Sequence, residues 1–490
     1  MKRSNQTFTD IDDLEPRLLW RYFRALCATP RPSGREQAAV ELVVAHGERL
    51  GLPTLVDRVG NVLIRKPASA GQEFRKTVAL QAHLDMVPQK NNQVKHDFDR
   101  DPIIPMVKDG WVTAGNTSLG ADNGIGAAAM MAVLEAGDLK HGPLEALFTV
   151  DEETGLNGAA AFNASLLQAS ILLNLDSEQE GKLCIGCAGG IDIDACFDIV
   201  SRPAPADLGG VRIAVEGLQG GHSGIDINKE GGNALRLLVG LLEEAGHELH
   251  LCLSGIKGGD LRNAIPREAQ AEGGVGIMDR EKLHALIGEK SRKLARQFSK
   301  TDPGLQLRIE SIPAPARVCD STAQSRILRA LSACPNGVVR MSDAVPGLVE
   351  TSINLASLDT RDDKIFARWL ARSSLDSANR ELAEKTIEIC HMAGVHAAMQ
   401  SGYPGWQPNP ESAILAVARR IYRDCFKREL AISAVHAGIE CGILKAARPD
   451  LDTVSLGPTI RNPHSPGEKV EIASVLAFWR FLVELLARIE

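Results

Sequence analysis

Acidic and histidine side chains recur at the downstream ends of apolar segments in this sequence. His83-Leu84-Asp85, Asp151-Glu152-Glu153 and Asp176 each follow such a segment. His464 lies in a Gly/Pro-rich loop after the last of them. In open α/β sheets ligands bind outside the carboxyl ends of the strands, so residues this far apart in sequence can meet at one edge. Imidazole nitrogens and carboxylate oxygens together indicate a metal centre.

His83 and Asp85 are two residues apart, so in an extended chain their side chains point the same way. A carboxylate at Asp85 can accept the second N–H of the imidazole and fix its tautomer, which leaves the other nitrogen free for a metal. The alternative is an ordinary strand-end histidine beside a solubilising aspartate.

Asp122 lies in Leu119-Gly-Ala-Asp-Asn-Gly124, immediately before an apolar helix. An aspartate in that position can cap the helix N-terminus. Among glycines, its carboxylate can also approach two cations and bridge them. Both interpretations stay open from the sequence.

Glu152 and Glu153 are adjacent, so on an extended backbone they face opposite sides. That arrangement favours one carboxylate on a metal and one free to take a proton. The alternative is a charged surface turn. Asp176 follows an apolar segment in which Asn174 is the one polar side chain. Asp176 is therefore harder than the two glutamates to explain as a solubilising residue.

Together, two histidines and three carboxylates supply five ligands, and a further carboxylate is left as a general base. Such a set suits zinc, with manganese or cobalt as substitutes. Two ions about 3.5–4 Å apart activate a water molecule and polarise a scissile carbonyl. The residues therefore predict metal-assisted hydrolysis.

The elements that must position these residues alternate between strands and helices. Near-continuous apolar strands in strand–helix–strand order predict an α/β fold with a mostly parallel sheet flanked by helices. Residues 1–186 are expected to form the first part of this catalytic domain and residues 401–490 its last part. The pattern changes over 187–400, which predicts an inserted α/β domain.

Composition excludes several classes of protein. A chain of 490 residues exceeds one ordinary core. The net charge of −7, with acidic and basic residues interspersed, argues against nucleic acid as a partner. The sequence has no run of about 18 apolar residues and no signal-peptide pattern at its start, so no membrane association is expected. Ten scattered cysteines do not resemble a disulfide scaffold, which favours the cytoplasm.

Several segments resemble the bacterial aminoacyl-histidine dipeptidases, and the resemblance runs essentially end to end. These dipeptidases belong to a wider group of dizinc enzymes that includes carnosinases, carboxypeptidase G, aminoacylases and tripeptidase T. The segments are Gln81-Ala-His-Leu-Asp-Met-Val-Pro-Gln-Lys90, Ser118-Leu-Gly-Ala-Asp-Asn-Gly124, Asp176-Ser-Glu178, Gly220-Gly-His-Ser-Gly224, Arg262-Asn-Ala-Ile-Pro266 and Gly457-Pro-Thr459 followed by His464.

The resemblance implies a catalytic domain with two zinc ions and an inserted lid domain that also forms a homodimer. Asp122 would bridge the ions, Asp85 would orient His83, and Glu152 would be the general base. The remaining ligands would be His83 and Asp176 for one zinc, and Glu153 and His464 for the other.

Three lid residues also match the family. His222 resembles the histidine that stabilises the tetrahedral oxyanion, often across the dimer interface, where a hydrogen-bond donor is needed. Asn263 and Arg372 resemble the residues that hold the substrate's carbonyl and carboxylate, and a bidentate arginine suits a free C-terminus. The alternative for His222, in a Gly-rich turn, is a structural role.

The resemblance thus implies hydrolysis of a small peptide substrate, namely unblocked dipeptides including Xaa-His. One alternative is a deacylase of N-acylated amino acids on the same scaffold. Another is an inactive relative that binds peptides. The presence of Glu152 and of all five expected ligands argues against this alternative.

Overall fold

The computed structural model describes residues 10–490, apart from the side chain of Ser401. The sequence interpretation of residues 1–9, that they contain no signal peptide, lies outside the described residues. The helices are α1 Arg17–Ala28, α2 Gln37–Arg49, α3 Ala121–Glu135, α4 Asn157–Ala161, α5 Ala234–Leu249, α6 Arg280–Gln297, α7 Ser321–Ala333, α8 Asp376–Met392, α9 Ala413–Phe426, α10 Glu440–Ala447 and α11 Ile472–Arg488.

The strands are numbered in the same way along the chain. They are β1 Thr54–Val56, β2 Val62–Lys66, β3 Val78–His83, β4 Pro105–Lys108, β5 Trp111–Ala114, β6 Leu144–Thr149, β7 Ile171–Asn174, β8 Lys182–Cys187, β9 Gly189–Asp198, β10 Ser201–Pro203, β11 Leu208–Glu216, β12 Gly221–His222, β13 Cys252–Gly258, β14 Ala264–Ile265, β15 Ala269–Gly276, β16 Gln306–Ser311, β17 Arg317–Cys319, β18 Gly337–Met341, β19 Val349–Arg361, β20 Lys364–Ser373, β21 His396–Tyr403, β22 Ala431–Val435, β23 Asp452–Ser455, β24 Ile460–Arg461 and β25 Lys469–Glu471.

The chain divides into two compact units. The first holds the described residues up to Gly186 together with Pro408–Ala434 and Ile439–Glu490. The second holds Cys187–Gln407 and the short segment Val435–Gly438. The roles of catalytic domain and lid for these two units stay predictions.

The first unit is built on an eight-stranded sheet in the order β1-β2-β6-β3-β7-β23-β8-β22. Strands β6, β3, β7 and β23 run parallel, and all residues of β3, β6 and β7 are buried. Helix α3 is buried on nearly every side because its residues are almost all apolar. Parallel strands covered on both faces carry continuous apolar side chains, as these do.

The predicted α/β fold is confirmed, and its parallel character holds for the central strands. Toward the edges β1 and β2 pair antiparallel, β2 pairs antiparallel with β6, and β8 pairs antiparallel with β23. The short connection between β1 and β2 permits an antiparallel hairpin, whereas a parallel pair needs a long crossover. A second, four-stranded sheet of this unit has the order β24-β25-β5-β4 and contains the loop that carries His464.

The second unit is an α/β unit with a nine-stranded antiparallel sheet. The order of its main path is β16-β11-β15-β13-β19-β20-β9-β21, and β18 pairs with β19. Helices α5, α7 and α8 contribute side chains to the apolar core of this unit, for example Leu238, Leu331 and Leu382. Across the described residues, we find no helix that combines the length and apolar character needed to cross a membrane.

Candidate metal centre

The carboxyl ends of three neighbouring parallel strands carry most of the candidate residues. His83 is the last residue of β3, Glu152 and Glu153 follow β6, and Asp176 follows β7. The register aligns His83 with Thr149 of β6, so the two strands end side by side. This edge of the sheet is where the sequence predicted that the residues would meet.

Asp122 lies at the centre of the group and faces a different histidine with each carboxylate oxygen. Its Oδ1 is 3.2 Å from His83 Nε2, and its Oδ2 is 3.1 Å from His464 Nε2. On the first side, His83 Nε2 is 3.4 Å from Asp176 Oδ1. On the second side, His464 Nε2 is 2.8 Å from Glu153 Oε1. The five side chains therefore form two clusters that share Asp122.

The donor set fits divalent cations. One ligand atom each of His83, Asp122 and Glu153 lies within 4.8 Å of the others. Three carboxylates and two imidazoles provide the mixed oxygen and nitrogen donors of a zinc site. A carboxylate whose two oxygens face separate histidine–carboxylate pairs is the group that can bridge two ions.

The ionisation of the two histidines reflects the surrounding carboxylates. Burial by itself would lower the pKa of His464, but hydrogen bonds with Asp122 and Glu153 raise it to about 11. The pKa of His83 is likewise raised well above its usual value, because Asp176 and Asp122 outweigh burial. The surrounding carboxylates thus favour the protonated form of both imidazoles.

Metal occupancy is therefore expected to fall as the pH is lowered. An imidazole must be neutral to coordinate, so a cation competes with the protons that His83 and His464 retain. For each proton that the metal displaces, the apparent metal affinity falls about tenfold when the pH is lowered by one unit. Chelator competition between about pH 5 and pH 8 measures this slope. An affinity that is independent of pH in that range would show that these histidines are not ligands.

Asp85 connects His83 to the acidic turn that carries Glu152 and Glu153. Its Oδ1 is 3.3 Å from His83 Nδ1. The same carboxylate accepts backbone N–H groups of Glu152 at 3.0 Å and Glu153 at 3.1 Å. Burial would raise the pKa of Asp85, but His83, the Glu152 N–H and the Ser33 hydroxyl hold it at about 2. Asp85 is thus placed both to orient the imidazole and to fix the turn.

The helix-cap interpretation of Asp122 does not hold, because another carboxylate takes that role. Glu468 Oε2 accepts the N–H groups of Leu119 at 2.8 Å and Gly120 at 3.0 Å. Its Oε1 accepts those of Ala121 at 2.7 Å and Asp122 at 3.3 Å. A negative charge at this end of α3 also complements the helix dipole. Glu468 follows His464 by four residues, so it fixes the Asp122 backbone to the loop that carries His464.

The Glu468→Gln variant is expected to bind metal about 10–100-fold more weakly, the usual cost of losing a residue that supports a ligand. An amide has one accepting oxygen, and its NH₂ group would face backbone N–H donors. Zinc titration against a competing chelator measures the change. Glu471→Gln, in the same segment and without a side-chain partner among residues 10–490, is the matched control. Unchanged affinity in Glu468→Gln would mean that Asp122 needs no such support.

Three other carboxyl groups lie near the cluster. Burial raises the pKa of Glu152 well above its usual value, and Asp176 and Glu153 add to that shift. Burial and the negative charge of Asp122 raise the pKa of Glu178 to about 8. Glu178 and Glu440 were not among the residues predicted from the sequence, although Glu178 stands in one of the quoted segments.

Glu440 belongs to a buried polar network beneath the candidate metal ligands. Its Oε2 accepts the Thr149 hydroxyl at 2.8 Å and the Gln81 amide at 2.5 Å, and the Gln81 Oε1 accepts the Asn174 amide at 2.6 Å. Gln81 and Asn174 each precede a candidate ligand by two residues. Burial raises the pKa of Glu440 to about 7. The strands β3, β6 and β7 are thus joined by hydrogen bonds just below the site.

The second unit contains the three predicted lid residues. His222 Nδ1 accepts the backbone N–H groups of Gly224 at 3.1 Å and Ile225 at 3.0 Å, so its Nε2 carries the proton. Burial and the charge of Arg372 lower the pKa of His222 to about 4. The backbone carbonyl of Asn263 accepts the Ser223 N–H at 2.7 Å, and the Asn263 side chain is exposed.

Arg372 is buried and forms no ion pair with any carboxylate of residues 10–490. Its guanidinium donates to the Tyr403 hydroxyl at 2.7 Å and to Ser223 Oγ at 3.4 Å. His436, which was not predicted from the sequence, lies in the same unit. Burial lowers its pKa to about 3, with smaller contributions from the charges of Arg372 and His222. A buried arginine without an acidic partner is suited to bind an anion.

The chain is similar to known proteins over most of its length. The profile described as "Peptidase family M20/M25/M40" matches residues 79–488. The chain is 42% identical over 481 residues to the cytosol non-specific dipeptidase of Escherichia coli strain K12, covering 98% of this chain and 99% of that protein. The crystal structure of aminoacylhistidine dipeptidase from Vibrio alginolyticus matches with a TM-score of 0.90 and 43% identity, covering 98% of each chain. Aminopeptidase PepT from Bacillus cereus ATCC 10987 shares the fold, with a TM-score of 0.59 and 16% identity over 97% of this chain and 99% of that one.

Proposed function

Because this chain belongs to peptidase family M20/M25/M40, we propose that it hydrolyses the peptide bond of unblocked dipeptides, Xaa-His among them, at a centre of two zinc ions. The observation that carries the proposal is Asp122, whose two carboxylate oxygens face His83 and His464 separately. The names of the Escherichia coli and Vibrio alginolyticus relatives support dipeptides as the substrate class.

In this proposal the ligands divide between the two clusters. His83 and Asp176 would hold one ion, Glu153 and His464 would hold the other, and Asp122 would contribute to both. When bound, such ions would supply an activated water and would polarise the scissile carbonyl. Cobalt or manganese can take the place of zinc, because both accept the same nitrogen and oxygen donors.

Glu152 acts as the general base. It removes a proton from the attacking water and delivers that proton to the nitrogen of the leaving amine. Its backbone N–H is held by Asp85, while its side chain has no hydrogen-bond or ion-pair partner among residues 10–490. An uncommitted carboxylate beside the ligands is free to move a proton in both directions.

In this proposal the second unit acts as a lid whose residues bind the carbonyl and the terminal carboxylate of the substrate. His222 donates its Nε2 proton to the oxyanion, Asn263 holds the substrate carbonyl, and Arg372 binds the terminal carboxylate. The lowered pKa of His222 supports this role, because a neutral imidazole with a fixed tautomer presents a constant donor.

His222→Ala is expected to lower kcat by about 10²–10³-fold, the usual cost of removing one oxyanion donor, while the metal content stays the same. Steady-state kinetics together with metal analysis of the purified protein tests this. His250→Ala, at the end of α5 in the same unit, serves as the control. Loss of metal in His222→Ala would rule out the oxyanion role.

The main alternative is a deacylase of N-acylated amino acids on the same scaffold. Hydrolysis of Ala-His compared with N-acetyl-His separates the two functions. The proposal expects turnover of Ala-His, and turnover of the acetylated compound alone would overturn it. No activity on either compound in the metal-loaded protein would favour a peptide-binding relative.

The proposal also includes a cytoplasmic homodimer that associates through the second unit, with no nucleic-acid or membrane partner. The name of the cytosolic Escherichia coli relative supports the compartment. Strand β18 supports the interface, because Val339 and Met341 are exposed on a strand that pairs only with β19 among the described strands. Such an edge can add a strand from a second chain.

A further inference from the structure

Glu178 is a carboxylate beside the candidate metal centre that the reaction described above does not use. It lies two residues after Asp176, in the loop that follows β7, and it is half-buried. Its backbone carbonyl accepts the Ile460 N–H at 3.1 Å. Its side chain forms no hydrogen bond or ion pair with any residue of 10–490.

The other acidic groups nearby are committed to protein partners. Asp85 accepts backbone N–H groups, Glu440 accepts from Gln81 and Thr149, and Glu180 pairs with Arg428 at 2.7 Å. In this part of the described chain, the side chains of Glu152 and Glu178 are the two that have no such partner, and Glu152 is the proposed base. Glu178 is therefore the carboxylate left without a role or a protein cation.

The position of Glu178 relative to the ligands restricts what it can bind. Glu178 follows Asp176 by two residues, and its backbone carbonyl joins it to Ile460, at the start of the segment that leads to His464, so it stands between two of the ligand-carrying segments. Two divalent cations would be matched by the three ligand carboxylates and the attacking hydroxide. Glu178 is then the carboxylate that is available to pair with a further cationic group at this site.

An unblocked dipeptide brings such a cation. Its ammonium group is attached to the carbon next to the attacked carbonyl, so it must lie close to the metal ligands rather than at a remote subsite. A buried or half-buried ammonium needs a carboxylate partner, because desolvation of an unpaired charge is costly. N-acylated substrates have no such charge.

We propose that Glu178 binds the free α-ammonium of the substrate and thereby selects unblocked dipeptides over N-acylated compounds. This inference rests on the dipeptidase function proposed above. It assigns a specificity-determining contact on the amino side of the scissile bond, opposite the carboxylate that Arg372 is proposed to bind.

The test compares Ala-His with propionyl-His, which differs from it by the loss of the amino group alone. In Glu178→Gln, kcat/KM for Ala-His is expected to fall about 10–100-fold, the cost of losing a hydrogen bond to a charged group. The inhibition constant of propionyl-His against Ala-His hydrolysis is expected to stay the same, and it is measurable whether or not this compound is cleaved. Metal content is measured in every variant.

Glu180→Gln, two residues further on, is the matched control and should leave the ratio of the two constants unchanged. Glu178→Asp keeps the charge and should recover part of the Ala-His activity. The inference is overturned if both constants change equally in Glu178→Gln, if neither changes, or if metal is lost. Failure of the wild-type protein to cleave Ala-His would instead overturn the dipeptidase function itself.

Discussion

The Glu152→Gln variant is expected to keep both metals and to lose about 10²–10⁴-fold in kcat, the contribution of a positioned general base. Glutamine has nearly the same shape as glutamate but cannot take a proton from water at neutral pH. The backbone N–H of residue 152 still bonds to Asp85, so the acidic turn should keep its conformation. Steady-state kinetics on Ala-His and elemental analysis of the same sample measure the two quantities.

Glu48→Gln, on the exposed side of α2, makes the same chemical change away from the site and should retain full activity. Full retention of rate in Glu152→Gln would place the base elsewhere. Loss of metal in that variant would show that Glu152 is a ligand and would reverse the roles assigned to Glu152 and Glu153.

The Asp122→Asn variant is expected to show the largest loss of metal. An asparagine has a single accepting oxygen, and its NH₂ group would face the imidazole of either His83 or His464. Removing a bridging ligand should therefore exceed the 10–100-fold loss of affinity that follows from removing a supporting residue. Bound metal should fall from two ions to one or fewer per chain, and Ala-His hydrolysis should fall to background.

Asp109→Asn is a suitable control because Asp109 is exposed in the turn between β4 and β5 and has a φ of 50°. Asparagine tolerates that left-handed conformation as well as aspartate does. Tight binding of two ions by Asp122→Asn would contradict the bridging role.

Much of the site follows from the sequence because parallel strands end at a common edge. His83, the acidic pair Glu152 and Glu153, and Asp176 stand directly after apolar runs, so a parallel sheet brings them together without further information. The family indicated by the quoted segments is confirmed by the profile match and by the relatives.

What the sequence did not indicate depends on contacts between distant segments. The capping of α3 by Glu468 joins residues almost 350 positions apart. The sequence around Glu468 and Glu471 does not show which of these two glutamates caps the helix. An aspartate before an apolar helix is a good cap by local rules, so the sequence alone does not decide between capping and metal binding for Asp122. The proton position on His222 depends on two backbone N–H groups of its own turn, which spacing alone cannot show.

The antiparallel edges of the first sheet were also missed. Apolar runs such as those of β2 and β6 have the same character whether the strands pair parallel or antiparallel, so composition does not fix direction. The antiparallel edges leave the candidate site unaffected, because the candidate ligands follow strands of the parallel centre.

Anomalous diffraction from crystals of the zinc-loaded protein tests the two-ion centre most directly. The structure predicts two zinc peaks about 3.5–4 Å apart, each within bonding distance of one oxygen of Asp122. One peak should contact His83 and Asp176, and the other Glu153 and His464. A single peak, or a pair of peaks away from Asp122, would contradict the account.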